Sequence, residues 1–264
     1  MYKPDTSENN DKLRKCWEKR AQDEGCSKAS VLFRGLPESL NQYIHNFHKE
    51  ILQAHCLPKI KNGASVLDLG CSYGRITDII KQYMDNVKIT GLDFSYHYCA
   101  LYQTQTGCSA VCADLKSIPF SDHSFDCIIA ITSLMYVHTD ERDRVMNNIE
   151  TLLKPGGIGF FLDPGLEYMN IVNLINPSRK KKSTGGTGFT SKEYNRLGHT
   201  GNLEIINHGG MTFFSLATPL LLLIKRFNFL LKIILKSTYW LDLTFHTYRF
   251  LSLHKWMLVK KKTY

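Results

Sequence analysis

From Ser65 to Leu162 the chain repeats one alternation: a short apolar run, then a run patterned for helix. Ser65–Leu69, Val87–Leu92, Cys108–Cys112, Phe125–Thr132 and Ile158–Leu162 read as strands. Helices are expected after Gly74 through Met84, over Tyr96–Gln105 and over Glu141–Leu153, the last ended by Pro155 and two glycines. Phe125–Thr132 is apolar almost throughout, which suits a strand buried on both faces. Few architectures accept such an alternation. It points to parallel strands joined by crossover helices that cover both faces of one sheet. The expected class is α/β, doubly wound.

The flanks are less regular. Residues 1 to about 13 are polar and expected to be mobile. Residues 13–23 read as a charged helix carrying Trp17. Residues 38–56 read as an amphipathic helix with Leu40, Ile44, Phe47 and Ile51 on one face. Past Pro164 come a polar loop at 176–189, a helix over Thr190–Gly198 with Thr190 as N-cap and Glu193 near the capping-box position, and a strand at Leu203–Asn207. Two apolar helices are expected at about 219–236 and 240–252, then a last strand at Lys255–Lys260, the seventh. The expected organisation is an N-terminal helical lid segment, 1–56, and a sheet domain, 57–264, with a helical insertion at about 217–252 before the last strand.

The 264 residues carry a net charge of +9 and a hydrophobic fraction of 43%, enough for a sizeable core. Basic charge is compatible with RNA, an anionic membrane surface or an acidic metabolite, and equally with a plain soluble surface. The 8 cysteines include no CxxC pair, so no metal site is expected. The polar start MYKPDTSENN is no secretory signal, and scattered thiols suit a reducing cytoplasm. The stretch from Ser215 to Leu235 is broken by Lys225, Arg226 and Lys232, short of the roughly 18 apolar residues a span needs. It reads as an internal helix pair, or as one that touches a membrane surface or a lipophilic substrate.

The sharpest local signal is VLDLGCSYGR, Val66–Arg75, where a strand enters a glycine loop that opens a helix. Glycine permits the turn and a close ligand approach, and the helix start offers free N–H groups. Asp68 lies just before Gly70, where a carboxylate would repel a pyrophosphate but suit an ammonium group such as that of S-adenosylmethionine. The glycine spacing, Gly70-x-x-x-Gly74, is also not that of dinucleotide sites. Asp93 ends the next strand, about twenty residues on, where a carboxylate can accept from ribose hydroxyls. Asp114 follows the third strand and can accept from an adenine amino group, with Leu115 beside the ring. Any one such acid is most simply a cap or turn residue; three at successive strand ends favour a nucleoside site.

With these residues in place, the sequence resembles the class I S-adenosylmethionine-dependent methyltransferases, in particular the small-molecule enzymes of quinone, sugar and polyketide biosynthesis. The resemblance is carried by VLDLGCSYGRIT, GLDFS, ADLKSIPFSDHSFDCIIAITSLMYV and LLKPGGIGFFLDP, in order over about residues 64–163, and more weakly by LEIINHGG and KWMLVKKK. It implies a Rossmann-like, mostly parallel seven-stranded sheet and S-adenosylmethionine as cofactor, with S-adenosylhomocysteine as product. Asp68, Gly70, Cys71, Ser72 and Gly74 would cradle the methionine and ribose portion. Asp93 would bind ribose, Phe94 would lie against adenine, and Asp114 and Leu115 would hold it. Ile131 and Ser133 would line the sulfonium side. Ser72 departs from the family's usual glycine, which serine replaces without strain only at negative φ.

On the acceptor side, His138 is the candidate base, or else a cap for the helix after it, and Tyr136 and Met135 are candidate pocket residues or core. His48 faces either the site or the core, and His45 has no carboxylate cluster near it to make a metal site. His208 is a further acceptor-side candidate, and the basic run Arg179–Lys182 is either a solvated loop or a lid that meets phosphate. The expected activity is methyl transfer to a small-molecule acceptor of lipophilic or glycan type, in the cytoplasm, with peripheral membrane or lipid-linked contact as an extension. An RNA (tRNA) methyltransferase and a non-catalytic scaffold are the alternatives. Nucleic acid is disfavoured because no basic stripe interleaved with aromatics occurs and the fourth-strand motif lacks the N/D-P-P-Y/F pattern.

Overall fold

The computed structural model describes residues 6–34, 38–175, 186–223, 228–247, 249 and 251–263. Three helices come first: α1 (Thr6–Glu24), α2 (Lys28–Val31) and α3 (Glu38–Ile51). The alternating region follows: β1 (Ser65–Leu69), α4 (Arg75–Tyr83), β2 (Lys88–Asp93), α5 (Tyr96–Thr106), β3 (Ser109–Cys112), β4 (Phe125–Ile131), α6 (Arg142–Leu152) and β5 (Leu153–Pro164). The last part contains α7 (Leu166–Ile175), α8 (Ser191–Leu197), β6 (Leu203–Gly210), α9 (Phe213–Leu223), α10 (Asn228–Thr244) and β7 (His254–Lys261).

The strands form one seven-stranded sheet in the order β3-β2-β1-β4-β5-β7-β6. β1 to β5 pair in parallel, while β7 is antiparallel to both β5 and β6. This is the doubly wound, Rossmann-like α/β architecture expected from the alternation. The strand period of two sorts the core. Cys127, Ile129 and Ile131 of β4 face a cluster with Phe47 and Ile51 of α3 and Ile79 of α4. Ile128 and Ala130 face the other side, with Val145, Met146 and Ile149 of α6.

Several flanking expectations are corrected. α1 begins at Thr6, so residues 6–12 are helix rather than a mobile tail. The helix expected over 38–56 is α-helical to Ile51 and then widens into a π turn, Leu52–Cys56, and a tight 3-10 turn, Leu57–Lys59. The apolar helices occupy Phe213–Leu223 and Asn228–Thr244, not 219–236 and 240–252. The reason is a long-range cap. The carboxylate of Asp242 accepts from Phe213 N at 2.7 Å and Phe214 N at 2.9 Å, so α9 starts where a side chain from α10 satisfies it. Beyond Thr244 the chain turns, and His246 O takes the Gly210 N–H at the end of β6. α2 and α7 were not expected. α8 is capped as expected, Thr190 Oγ1 accepting from Glu193 N at 3.1 Å. The basic run Arg179–Lys182 lies outside the described residues.

Candidate active site

The strand order reverses between β1 and β4, so the loops leaving those strands part at their C-terminal ends. A cavity of about 390 Å³ lies at this switch point. Gly70, Cys71 and Ser72 line it from the β1 loop, Asp93 and Phe94 from the end of β2, and Asp114 and Leu115 from beyond β3. Ile131, Ser133, Tyr136 and His138 line it from the end of β4 onward. Nine of the eleven cofactor-side candidates thus share one cavity with Tyr136 and His138.

The other two stand behind the loop. Asp68 is 2% exposed and accepts from Thr77 Oγ1 at 2.8 Å, which ties β1 to α4. Burial pushes its carboxyl up to about 6, against the pull of Thr77 and Arg75. Gly74 has φ +98, and a Cβ there would come within 2.2 Å of Thr106 Cγ2, so its bareness lets α4 start against α5. Gly70 has φ +79 and would meet Ser133 Cβ at 2.4 Å, so β1 and β4 can approach only without that side chain.

Ser72 does not meet the condition for an unstrained serine: its φ is +48. Thr132, also on the cavity wall, has φ +58. A non-glycine residue in this region costs roughly 1–2 kcal/mol, and such strain gathers where ligands are held. Asp93 holds the Ser72 turn, accepting from Ser72 N and Ser95 N, each at 2.9 Å, one per carboxylate oxygen. Burial raises the Asp93 carboxyl to about 6 in spite of these bonds. Asp114 accepts from Lys116 N at 2.9 Å, and Lys116 Nζ lies between Asp114 at 3.7 Å and Glu141 at 3.5 Å on the rim.

α1 closes one side with Leu13, Cys16 and Trp17. Trp17 meets Tyr136 edge to face, 5.2 Å between centroids, and lies 6.1 Å from Tyr98. Glu18 fastens the helix, accepting from Ser95 Oγ at 3.0 Å, Tyr96 N at 2.7 Å and His97 N at 3.2 Å, across the start of α5. Burial pushes Glu18 up, but these bonds and the one from His97 Nδ1 carry it below its usual range. Opposite, Arg142 donates to Thr187 O at 2.7 Å and Glu193 Oε1 at 2.8 Å, and its guanidinium lies 3.7 Å from the Phe189 ring centroid. It pins residues 187–189 beside the rim, where Thr187 N also donates to Met135 O at 2.8 Å.

Arg75, at the first turn of α4, was not singled out from the sequence. It is 7% exposed and lines the cavity. Its guanidinium bonds His45 Nδ1 at 3.2 Å and His48 Nδ1 at 3.4 Å, and no carboxylate pairs with it among the described ion pairs. Arginine only donates, so both Nδ1 atoms must accept. His48 therefore carries its proton on Nε2 and donates to His254 Nδ1 at 2.9 Å. Burial first, then the Arg75 charge, holds His45 down at about 4 and His254 at about 3, while His48 is driven well down by burial, His254 and Arg75. The imidazoles stay neutral and do not balance the arginine's charge, which acts instead on the Asp68 carboxyl behind the loop. His48 is thus a core residue bonded to a cavity residue.

His138 sits at the N-cap position of a 3-10 turn, but its side chain makes no cap bond. It stands at the cavity mouth with Nδ1 3.6 Å from Asp140 Oδ2. His208 is absent from the cavity's lining. It lies on β6, beyond β7 from the switch point.

The residues present fit a nucleoside with an amino-acid arm. Asp93 and Asp114 offer acceptors to hydroxyl and amino groups, and Arg75 offers a cation. Ser72 Oγ and Tyr98 OH, two buried atoms of cavity-lining residues, have no hydrogen-bond partner of good geometry among the described residues.

Comparison with known proteins points to the same family. Residues 66–157 match the family model "Methyltransferase domain". Relatives include O-methyltransferase rstn1 of Aspergillus nomiae NRRL, 36% identical over 39% of this chain and 49% of that protein. Another is tRNA N(3)-cytidine methyltransferase METTL2 of Bos taurus, 32% identical over 53% of this chain and 40% of its own. The chain thus spans about half, or less, of the length of these curated relatives. The solved structure of geranyl diphosphate C-methyltransferase from Streptomyces coelicolor A3(2), in complex with Mg2+, geranyl diphosphate and S-adenosyl-L-homocysteine, superposes with a TM-score of 0.63 at 12% identity, covering 98% of this chain and 100% of that one. The chain carries a class I S-adenosylmethionine-dependent methyltransferase domain.

Proposed function

We propose that the protein transfers a methyl group from S-adenosylmethionine to a small lipophilic acceptor. The observation that carries this reading is the single cavity at the β1/β4 switch point, which gathers Asp93, Asp114, Ser72 and Arg75. In this reading Asp93 accepts from the ribose hydroxyls and Asp114 from the adenine amino group, with Phe94 and Leu115 against the ring. Arg75 faces the amino-acid carboxylate, and Gly70, Cys71, Ile131 and Ser133 shape the wall around the methionine portion. Asp68 and Gly74 support the loop from behind.

Bound S-adenosylmethionine supplies a methyl carbon already activated by positive sulfur. The protein's part is alignment and exclusion of water. Leu13, Trp17, Tyr136 and Val137 give the remaining wall an apolar and aromatic face, which suits a lipophilic acceptor. His138 at the mouth takes the acceptor proton where one must leave. The N-terminal segment, with α1 latched by Glu18, serves as the lid. A tRNA acceptor is the second reading, favoured by the METTL2 likeness; the enclosing α1 helix speaks for a smaller guest.

The test has two parts. Calorimetry with S-adenosylhomocysteine should show binding that Asp93→Ala weakens by about ten-fold or more, since charge-assisted hydrogen bonds are lost. No binding to the folded wild-type chain would overturn the methyltransferase activity. Label from methyl-labelled S-adenosylmethionine should then enter the organic phase of a lipid extract. Label in total tRNA instead would overturn the acceptor class.

A further inference from the structure

α10 is apolar on both of its sides: Ile234, Leu235 and Leu243 pack against the core, and further apolar side chains face outward. Its inward side carries Leu231, Thr238 and Asp242, all buried. Its outward side carries Phe229, Ile233 and Trp240, which are 79%, 47% and 63% exposed. These recur at i, i+4 and i+11, one stripe of a 3.6-residue period running about 16 Å along the axis. Lys232 and Lys236 flank the stripe; both are exposed and neither forms an ion pair among the described residues. The helix's only acid, Asp242, is turned inward, bonded by Tyr43 OH at 2.8 Å and by the first N–H groups of α9. The outer face therefore presents apolar side chains and positive charge with no negative charge.

We infer that this face of α10 docks on an anionic phospholipid surface, the helix lying in the plane of the interface. Charge complementarity names the occupant. Aromatic and aliphatic side chains enter the boundary of the acyl chains while lysines meet the headgroups. No helix among the described residues is long and apolar enough to cross a membrane, so the contact is interfacial. A second copy of the chain fits less well, because two-fold pairing of this face on itself gathers four lysines and no acid. The inference stands apart from the methyl-transfer reading, although α10 packs on α3, whose His45 and His48 hold Arg75 at the cavity.

The test uses the full chain with vesicles of phosphatidylcholine alone and with about one third phosphatidylserine. Flotation with the serine-containing vesicles is expected, with a blue shift of tryptophan emission that Trp240→Phe removes. Phe229→Glu with Ile233→Glu should cut vesicle binding about ten-fold or more, and Lys232→Glu with Lys236→Glu should remove the preference for anionic lipid. All five side chains are exposed, so the variants should keep the wild-type affinity for S-adenosylhomocysteine, which checks their folding and reports on the cavity separately. Absence of flotation, or flotation unchanged by Phe229→Glu with Ile233→Glu, overturns the inference. So does a wild-type dimer in sedimentation that the same pair dissociates without any vesicle binding.

Discussion

The backbone N–H of Ser72 donates to the carboxylate of Asp93 at 2.9 Å, and so joins the β1 loop to the end of β2. The bond holds a serine at φ +48. Ser72→Gly should relieve a left-handed strain of roughly 1–2 kcal/mol, less what glycine loses in unfolded-chain entropy. A net gain of about 0.5–1 kcal/mol is expected, read as a rise of a few degrees in Tm. The serine hydroxyl goes with it, so the same variant reports whether Ser72 Oγ meets the ligand. Tighter S-adenosylhomocysteine binding would make Ser72 a tolerated substitution; weaker binding in a more stable protein would make its hydroxyl a contact.

Arg75 is held by two neutral imidazoles and lines the cavity with no carboxylate ion pair among the described residues. Its charge should be spent on the ligand's carboxylate. Arg75→Gln is expected to weaken S-adenosylhomocysteine by about ten-fold or more, and to leave 5′-methylthioadenosine, which lacks the amino-acid arm, within about two-fold. Calorimetry with both compounds separates recognition from damage. Equal losses for the two would assign Arg75 to the loop's structure instead.

What was legible in the sequence follows from distance along the chain. Asp93 and Asp114 each end an apolar run, so a strand end and a carboxylate appear together in a few residues. The sheet was legible for the same reason, since each strand has its own apolar period. Glu18 gives no local signal, because its partner Ser95 lies 77 residues away. His48 and His254 are separated by 206 residues, and only the folded sheet brings them together. The α9 boundary was misplaced because its cap, Asp242, arrives from the following helix. Arg75 was visible in GRIT, but its role depends on two histidines of α3, of which His48 read from the sequence as facing either the site or the core.

Glu18 latches α1 over the cavity through Ser95 and Tyr96. Glu18→Gln keeps the shape but loses the charge that the start of α5 favours. Hydrogen exchange in α1 should quicken while the sheet's stays unchanged, and S-adenosylhomocysteine should dissociate faster. Unchanged exchange in α1 would show that Trp17 and its aromatic neighbours hold the helix without the latch.

Asp163 gives the clearest pH prediction. It is fully buried at the end of β5, accepts from Met135 N at 3.1 Å, and stands near Tyr194 OH. Burial lifts its carboxyl to about 8, against an ordinary value of 3.8, despite the opposing pull of Met135 N and the Arg142 charge. A carboxyl raised in the folded state keeps its proton there while the unfolded chain has lost it. The folded state then binds more protons, so stability falls as pH rises from about 4 to 8. Other groups overlap with this fall. His45 and His254, held at about 4 and 3, make stability rise with pH until their unfolded forms have lost their protons, while Asp68, Asp93 and Asp242, each at about 6, make it fall. These groups titrate alike in wild type and in Asp163→Asn, so the difference between the two proteins isolates Asp163. Wild-type stability should fall relative to the variant by about 1–2 kcal/mol between pH 6.5 and 8, a few degrees in Tm. Asp163→Asn carries no proton to lose, so its profile holds only the titration of the other groups. A parallel loss in both proteins would place the titration elsewhere.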